Sequence, residues 1–431
     1  MDNPQKRTCL AWINAVVDID SNLRPAVNCN YGISDSRIGL IMEFVSRFFQ
    51  PPAGSYYLFG PRGTGKSAWT QAYYRESLRI DLLEPDTLRR FRARPERIRE
   101  VVHAQPAGKT IIIDEVQRVP ELLSAVHALV EEKRGWIFVL TGSSARKLKQ
   151  AGIDLLAGRA IVRTLHPFMA AELGSTFDLN IALQSGMLPL VLDSENPQDV
   201  LDSYIDIYIR EEVQTEGLVR NLSGFSRFLE SISFSQGQVL NVSNVARECE
   251  VERKTVEGYL SVLEDLLLCF RLPVFRKRAG RVTVQHPKFY LFDTGVFRSL
   301  RPLGPLDRSE EIAGPALEGL VAQHLRAWTA YTRNRHELYY WRTRGGSEVD
   351  FVIYGPERFY GIEVKHAERM HRVDLRGLKA FRDDYPGAQT AMLYRGNESL
   401  LIDGIACIPC KDFLLRLRPG EDLPLLNHNA F

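Results

Sequence analysis

The chain has 431 residues, 45% hydrophobic and 25% charged, enough apolar material for several separate cores and an ordinary balance for a globular protein. A formal net charge of only +2 excludes binding to nucleic acid or membrane by bulk charge, so any such partner must be met by local clusters. Six scattered cysteines exclude a disulfide framework and point to a reducing compartment.

In chain order, residues 1–54 read as a helical lead-in, with apolar residues of Ile38–Phe49 at helical spacing. The N-terminus has no apolar run suited to a signal peptide, and no stretch approaches the ~18 uncharged apolar residues of a membrane helix, so a cytoplasmic, membrane-free protein is expected. Residues 55–165 alternate compact apolar strands, Tyr56–Phe59, Thr110–Ile113 and Trp136–Leu140, with helical stretches. That alternation predicts an α/β fold with a parallel sheet covered on both faces. Residues 166–235 read as a helical lid or linker. Residues 236–305 hold a short helix, a turn, a longer helix and a hairpin, and residues 306–431 return to mixed α/β.

The first strand runs into Gly60-Pro61-Arg62-Gly63-Thr64-Gly65-Lys66-Ser67 and then a helix, Ala68–Ser77. This is G-x-x-x-x-G-K-S in the strand–loop–helix context that the motif needs. The glycines let backbone N–H groups turn inward around phosphate oxygens, and the helix N-terminus favours the anion. Lys66 is expected on the β- and γ-phosphates of ATP, and Ser67 on Mg²⁺. The second strand ends in Asp114-Glu115, at the carboxyl edge where such sheets bind ligands. Asp114 would complete the Mg²⁺ shell, and Glu115 would act as the base that orients the attacking water. The third strand ends in Thr141-Gly142-Ser143-Ser144, and Thr141 is the candidate for the γ-phosphate or the water, with helix capping as the alternative.

An acidic pair after an apolar strand, followed by a hydroxyl-tipped strand, resembles the AAA+ ATPases. The run Asp114-Glu115-Val116-Gln117-Arg118-Val119-Pro120, the segment Leu140–Ser144 and Leu156-Ala157-Gly158-Arg159 resemble a bacterial and archaeal AAA group. That group's C-terminal part is named only as a domain of unknown function and combines a winged helix with a restriction-endonuclease-like fold. The resemblance implies a ring, most simply a hexamer, with an arginine finger reaching into a neighbour's site; Arg159 fits it, and Arg146 is the alternative. Between the two ATP motifs lies an arginine-rich stretch, Asp86–Glu100. It is either a phosphate-tracking surface or a solvated helix face.

Farther on, Asn241–Glu248, capped by Ser243, and Arg253–Leu263 form a helix-turn-helix pattern. Strands Cys269–Phe275 and Val282–Val284 would form its wing. Arg253 and Lys254 on the second helix, with Arg276, Lys277, Arg278 and Arg281 at the wing tip, are the candidate DNA contacts; packing against the chain's own ATPase is the alternative. Finally, Asp350 on one strand and Glu363-x-Lys365 on the next resemble the PD-(D/E)xK nuclease core. Alternation sets Glu363 and Lys365 on one face. Asp350, Glu363 and Glu318 of the helix upstream would hold a divalent cation, and Lys365 would position or activate water; the alternative is a fold kept for binding or assembly without cleavage. Together these features lead to the expectation of an ATP- and Mg²⁺-using, DNA-directed motor or remodeller with an associated nuclease-like domain. The alternative is a signal-transducing ATPase switch whose C-terminal domains bind a protein partner.

Overall fold

Strand β1 (Tyr56–Phe59) is buried along its whole length because it sits inside a sheet covered on both sides. A computed structural model describes residues 45–144, 146, 148, 160–209, 213, 222–277, 284–304, 308–332 and 336–425. Around β1 stand β2 (Leu78–Asp81), β3 (Thr110–Asp114), β4 (Ile137–Gly142) and β5 (Ile161–Thr164), in the spatial order β2-β3-β4-β1-β5 and all parallel. The run Ile111-Ile112-Ile113 explains the two-faced burial. Successive side chains point to opposite sides, so Ile111 and Ile113 enter one apolar cluster and Ile112 the other. Helices α1 (Lys66–Tyr73), α2 (Pro85–Ala93), α3 (Ile98–His103) and α4 (Leu122–Glu131) follow the first three strands. Phe91, Ile98, Val102, Leu122, Val126 and Leu129 fill the first cluster, while Trp69 joins the second.

The lead-in differs from the helical expectation in its described part, since Val45–Gln50 is not helical. Extended backbone lets Arg47 reach three separate carbonyls, the Phe48 N–H reach Glu172, and the Phe49 ring pack edge-on against Trp69 at 4.9 Å. Those long-range contacts outweigh a local apolar period.

After the parallel sheet come short helices α5 (Ala170–Leu173), α6 (Leu179–Ser185), α7 (Pro189–Leu192) and α8 (Pro197–Ser203), a π-helical stretch Tyr204–Ile209, and α9 (Leu222–Ser233). The pair α10 (Val242–Glu248) and α11 (Arg253–Asp265) follows. The cap of α10 is Asn241, whose side chain accepts from Asn244 N–H, rather than Ser243. A three-stranded sheet orders β6 (Gln238–Val239), β8 (Lys288–Leu291) and β7 (Cys269–Leu272) as β6-β8-β7. So β7 pairs with Lys288–Leu291; of the expected wing strand, Val282 and Thr283 lie outside the described residues, and Val284 lies outside any strand and donates to Arg342 O. The run is buried throughout, Phe289, Tyr290 and Leu291 supplying apolar surface and Lys288 a buried charge.

Helix α12 (Thr294–Leu300) leads to the long α13 (Ser309–Tyr331). A mixed six-stranded sheet follows, built from β9 (Glu337–Arg342), β10 (Glu348–Tyr354), β11 (Phe359–Lys365), β12 (Gln389–Tyr394), β13 (Leu400–Ile402) and β14 (Ile405–Pro409). Its order is β13-β14-β12-β11-β10-β9, with α14 (Arg376–Asp384) and α15 (Cys410–Arg416) flanking it. A single apolar core runs from Phe168 to Leu423, so the helical region, the α10–α11 pair and one face of this sheet are packed together. Among the described residues, no helix is long and apolar enough to cross a membrane.

Candidate functional site

The parallel register brings the carboxyl ends of β1, β3 and β4 level, with Phe59 beside Gly142 and Ile113 beside Leu140. The loop after β1 therefore faces the acids after β3. Gly63 and Gly65 sit at φ of +82° and +85°, values that a side chain would strain. The Lys66 ammonium is nearly buried and donates to Gly60 O at 2.7 Å and Pro61 O at 3.1 Å, which holds it over the loop's mouth. Three consecutive carbonyls of this loop turn outward onto donors from elsewhere in the chain. Arg62 O accepts from the Tyr204 hydroxyl at 3.0 Å, Gly63 O from Leu190 N–H at 3.4 Å, and Thr64 O from Arg47 at 3.1 Å. Carbonyls fixed outward leave the loop's N–H groups facing the cradle, which is what phosphate oxygens require.

At the end of β3, Asp114 is buried and accepts the hydroxyl proton of Thr141. The next residue, Glu115, takes a left-handed backbone at φ +59°. A non-glycine residue held there costs about 1–3 kcal/mol. Its N–H donates to Thr141 Oγ1 at 3.3 Å, and Gln117 Nε2 donates to its carboxylate at 2.6 Å and to Ser143 Oγ at 3.3 Å. Thr141 thus braces Asp114 and the Glu115 backbone. Lys66, Ser67 and Glu115 line one 420 Å³ cleft, whose apolar wall includes Val45, Phe168, Pro189 and Leu190. Such a cleft, cationic at one end and apolar at the other, suits a nucleotide triphosphate. Asp114 and Ser67 are the residues that would hold Mg²⁺, which would neutralise phosphate charge. A larger 970 Å³ cleft, between Phe48–Ala53 and Arg418–Glu421, includes none of these groups in its lining.

Sequence reasoning missed Arg47, Gln117 and the apolar wall. Gln117 stands in the motif itself, two residues past the base, and that spacing was its signal. Arg47 and Phe168 have none, since only folding brings them to the loop.

Residues 53–174 match the model of an AAA domain, residues 176–307 that of a domain of unknown function, DUF8612, and residues 313–413 that of another, DUF4143. The protein carries an AAA-type ATPase domain. Uncharacterized proteins of Mycobacterium bovis and Mycobacterium tuberculosis are each 27% identical over 323 residues, 73% of this chain and 72% of theirs. Similar solved structures include a signal transduction ATPase with a tetratricopeptide repeat sensor from Pyrococcus horikoshii, at 14% identity and a TM-score of 0.22 over 64% of this chain and 45% of that one. The chain thus spans under half the length of that protein. A Vibrio cholerae protein overlaps at 12% identity and a TM-score of 0.20, over 84% of this chain and 96% of that one. Both structural likenesses are too loose to carry an argument.

Of the arginines proposed to act on the AAA-type domain of a neighbour, Arg159 lies outside the described residues, and Arg146 is ion-paired within the chain to Asp265 at the end of α11. The described residues among the expected DNA contacts have the following surroundings. Arg253 pairs with Glu257 at 3.0 Å, Lys254 is exposed, and Arg276 donates to Gln285 O. Lys277 is drawn to Glu337 at 3.4 Å and over the Tyr354 ring at 4.4 Å; Arg278 and Arg281 lie outside the described residues.

The nuclease-like constellation assembles differently from its expected form. Asp350, Glu318 and Glu348 converge, but on the ammonium of Lys288, at 2.9, 3.0 and 2.5 Å. Asp350's second oxygen accepts Val364 N–H at 2.9 Å, Glu348's second meets Arg342 at 3.3 Å, and Glu318 Oε1 also accepts the Tyr290 hydroxyl at 2.6 Å. Burial works against a charged Lys288, yet Asp350, Glu318, Tyr290 and Glu348 hold its pKa well above the usual value. Burial, reinforced by Asp350, pushes Glu318 up to about 7. Burial, with Asp350 and Glu348, raises Glu363 well above the carboxylate range. Lys365 turns away to Asp374 at 3.3 Å. Of the expected metal ligands, Glu318 and Asp350 thus face the Lys288 ammonium, while Glu363 lies beside them on β11 with its pKa raised. Among the described residues, no group of three or more His, Cys, Asp or Glu is suited to a metal ion. Glu348 was legible as a partner of Asp350, two residues away on the same strand face.

Proposed function

We propose that this protein is an ATP-hydrolysing switch whose nucleotide state is passed from the phosphate loop to the helices and sheets that follow the AAA-type domain. The three outward carbonyls of the loop carry the reading, because their donors, Tyr204, Leu190 and Arg47, all lie outside the strand–loop–helix unit. Phosphates drawing on the loop's N–H groups would shift its peptide planes, and those donors must follow. The relay has a second step. Arg47 also donates to Pro167 O and pairs with Glu172 at 3.2 Å, while His166 N–H donates to the Tyr331 hydroxyl at the end of α13.

In hydrolysis, Lys66 neutralises the β/γ-phosphates, Asp114 and Ser67 hold the metal, and Glu115 accepts the proton of the attacking water. Lys66→Ala should lose nucleotide binding, and Glu115→Gln should keep binding while hydrolysis falls roughly 10²-fold or more. Equal turnover by Glu115→Gln and wild type would remove the assigned base.

DNA as the partner is a second reading, favoured by the exposed arginines of and after α2: Arg90, Arg92, Arg97 and Arg99. It predicts DNA-stimulated ATPase activity with a steep salt dependence, whereas a switch bound to a protein partner predicts neither. Assembly into ATP-favoured hexamers, with Arg159 in trans, belongs to either reading, and sedimentation with and without ATP tests it.

A further inference from the structure

The junction between strand β8 and the C-terminal sheet encloses a charge cluster that the ATP reaction does not use. An ammonium has three N–H donors. Lys288, almost wholly buried, donates to Glu318 on α13 and Asp350 on β10 and is ion-paired with Glu348 on β10 as well. The second oxygens of Asp350 and Glu348 are engaged by Val364 N–H and Arg342, and Glu318 Oε1 is shared between Lys288 and the Tyr290 hydroxyl. A divalent cation needs carboxylate oxygens free to close to about 2.0–2.6 Å. Here it would have to displace a lysine already sharing those oxygens. Access is narrowed on the far side too: a Cβ at Gly377 of α14 would stand 2.0 Å from Glu348 O and 2.8 Å from Glu363 Oε2, so that helix lies directly against the strands.

We infer that Lys288 is the resident cation of this acid cluster, occupying the place that a divalent metal holds in a cleaving enzyme of the nuclease-like kind. The domain is therefore a lysine-filled platform that does not cut. The same ammonium ties residues of two separately matched regions, because β8 lies within 176–307, and α13's Glu318 and β10 within 313–413. The cluster latches one to the other. This inference is independent of ATP hydrolysis.

The test uses full-length, nucleotide-free protein and Mn²⁺, read by electron paramagnetic resonance of free Mn²⁺ and by thermal melting with and without the ion. Wild type and Asp350→Asn should show the same weak Mn²⁺ uptake and no Mn²⁺-dependent rise in melting temperature. Lys288→Met keeps most of the side chain's length but removes the charge, so three acids are left facing one another. It should gain Mn²⁺ affinity by about tenfold or more, and be stabilised by the ion. Lys288→Met/Asp350→Asn should lose that gain. Mn²⁺ uptake by wild type that Asp350→Asn lacks would overturn the inference, and so would a folded Lys288→Met protein that takes up no extra Mn²⁺. If Lys288→Met does not fold, the comparison of wild type with Asp350→Asn still decides. Cleavage of linear or branched DNA by wild type with Mn²⁺, abolished in Asp350→Asn, would also overturn it.

Discussion

A carboxylate is a useful base only when its lone pairs face the water it must deprotonate, and Glu115, the proposed base, is held by two constraints. Its left-handed backbone sets the direction of the side chain, and Gln117 holds one carboxylate oxygen at 2.6 Å. The same amide reaches Ser143 beyond the end of β4, so base and strand end are tied by one side chain. Gln117→Ala should therefore leave nucleotide affinity near wild type while turnover drops, by about tenfold for a base that is present but less well oriented. Steady-state kinetics beside fluorescent-nucleotide binding would separate the two. A loss of affinity equal to the loss of turnover would make Gln117 a support of the loop rather than of the base.

Short elements wall the phosphate loop, and their irregularity fits that task. The π-helical turn Tyr204–Ile209 widens the backbone enough to present Tyr204 to Arg62 O, and the Arg62 guanidinium lies 3.9 Å over the Tyr208 ring. Removing one hydroxyl, in Tyr204→Phe, deletes a single hydrogen bond to the loop and keeps the ring. The expected cost is about 1 kcal/mol, or roughly fivefold in ATP affinity. Unchanged affinity in a nucleotide titration would mean that this turn does not sense the loop. The α10–α11 pair teaches a related lesson. Its period was legible, and α11 extends over Arg253–Asp265, but its acidic end holds Arg146. That contact binds the AAA-type domain to its own chain.

The molecule as a whole is held together by buried polar links as well as by its continuous core. His324 on α13 is one: its Nε2 accepts Ala170 N–H at 2.9 Å, and Nδ1–H donates to Leu320 O at 2.7 Å, which requires the neutral ring. Burial lowers its pKa to about 4. The folded value lies below the unfolded one of about 6.5, so the unfolded chain binds the extra proton. The contribution is complete above pH 6.5 and is lost as pH falls towards 4, to the extent of about 3 kcal/mol. Buried His166, also shifted down by burial, acts in the same sense. Melting temperature should fall across that window, and His324→Gln, which cannot titrate, should fall less steeply. Parallel pH profiles for the two proteins would rule out His324 as a source.

What the sequence determined by itself lies within short windows. Strand β1 has the bounds that its apolar run predicted, the glycine-rich loop follows it, and the acids close β3, because turn chemistry and apolar period are set by neighbours a few residues apart. The Asp350 and Glu363 strands were legible for the same reason, as two apolar runs either side of a Gly-Pro turn. Only the tertiary structure decided which charges meet. Lys288 lies 30 residues from Glu318 and 62 from Asp350, and nothing local distinguishes it from a surface lysine at a strand start. Arg47 reaches His166 across 119 residues, and β7 pairs with Lys288–Leu291. A buried charge takes whichever partner the fold brings within about 3 Å, since leaving it unpaired costs more than any local preference can offset.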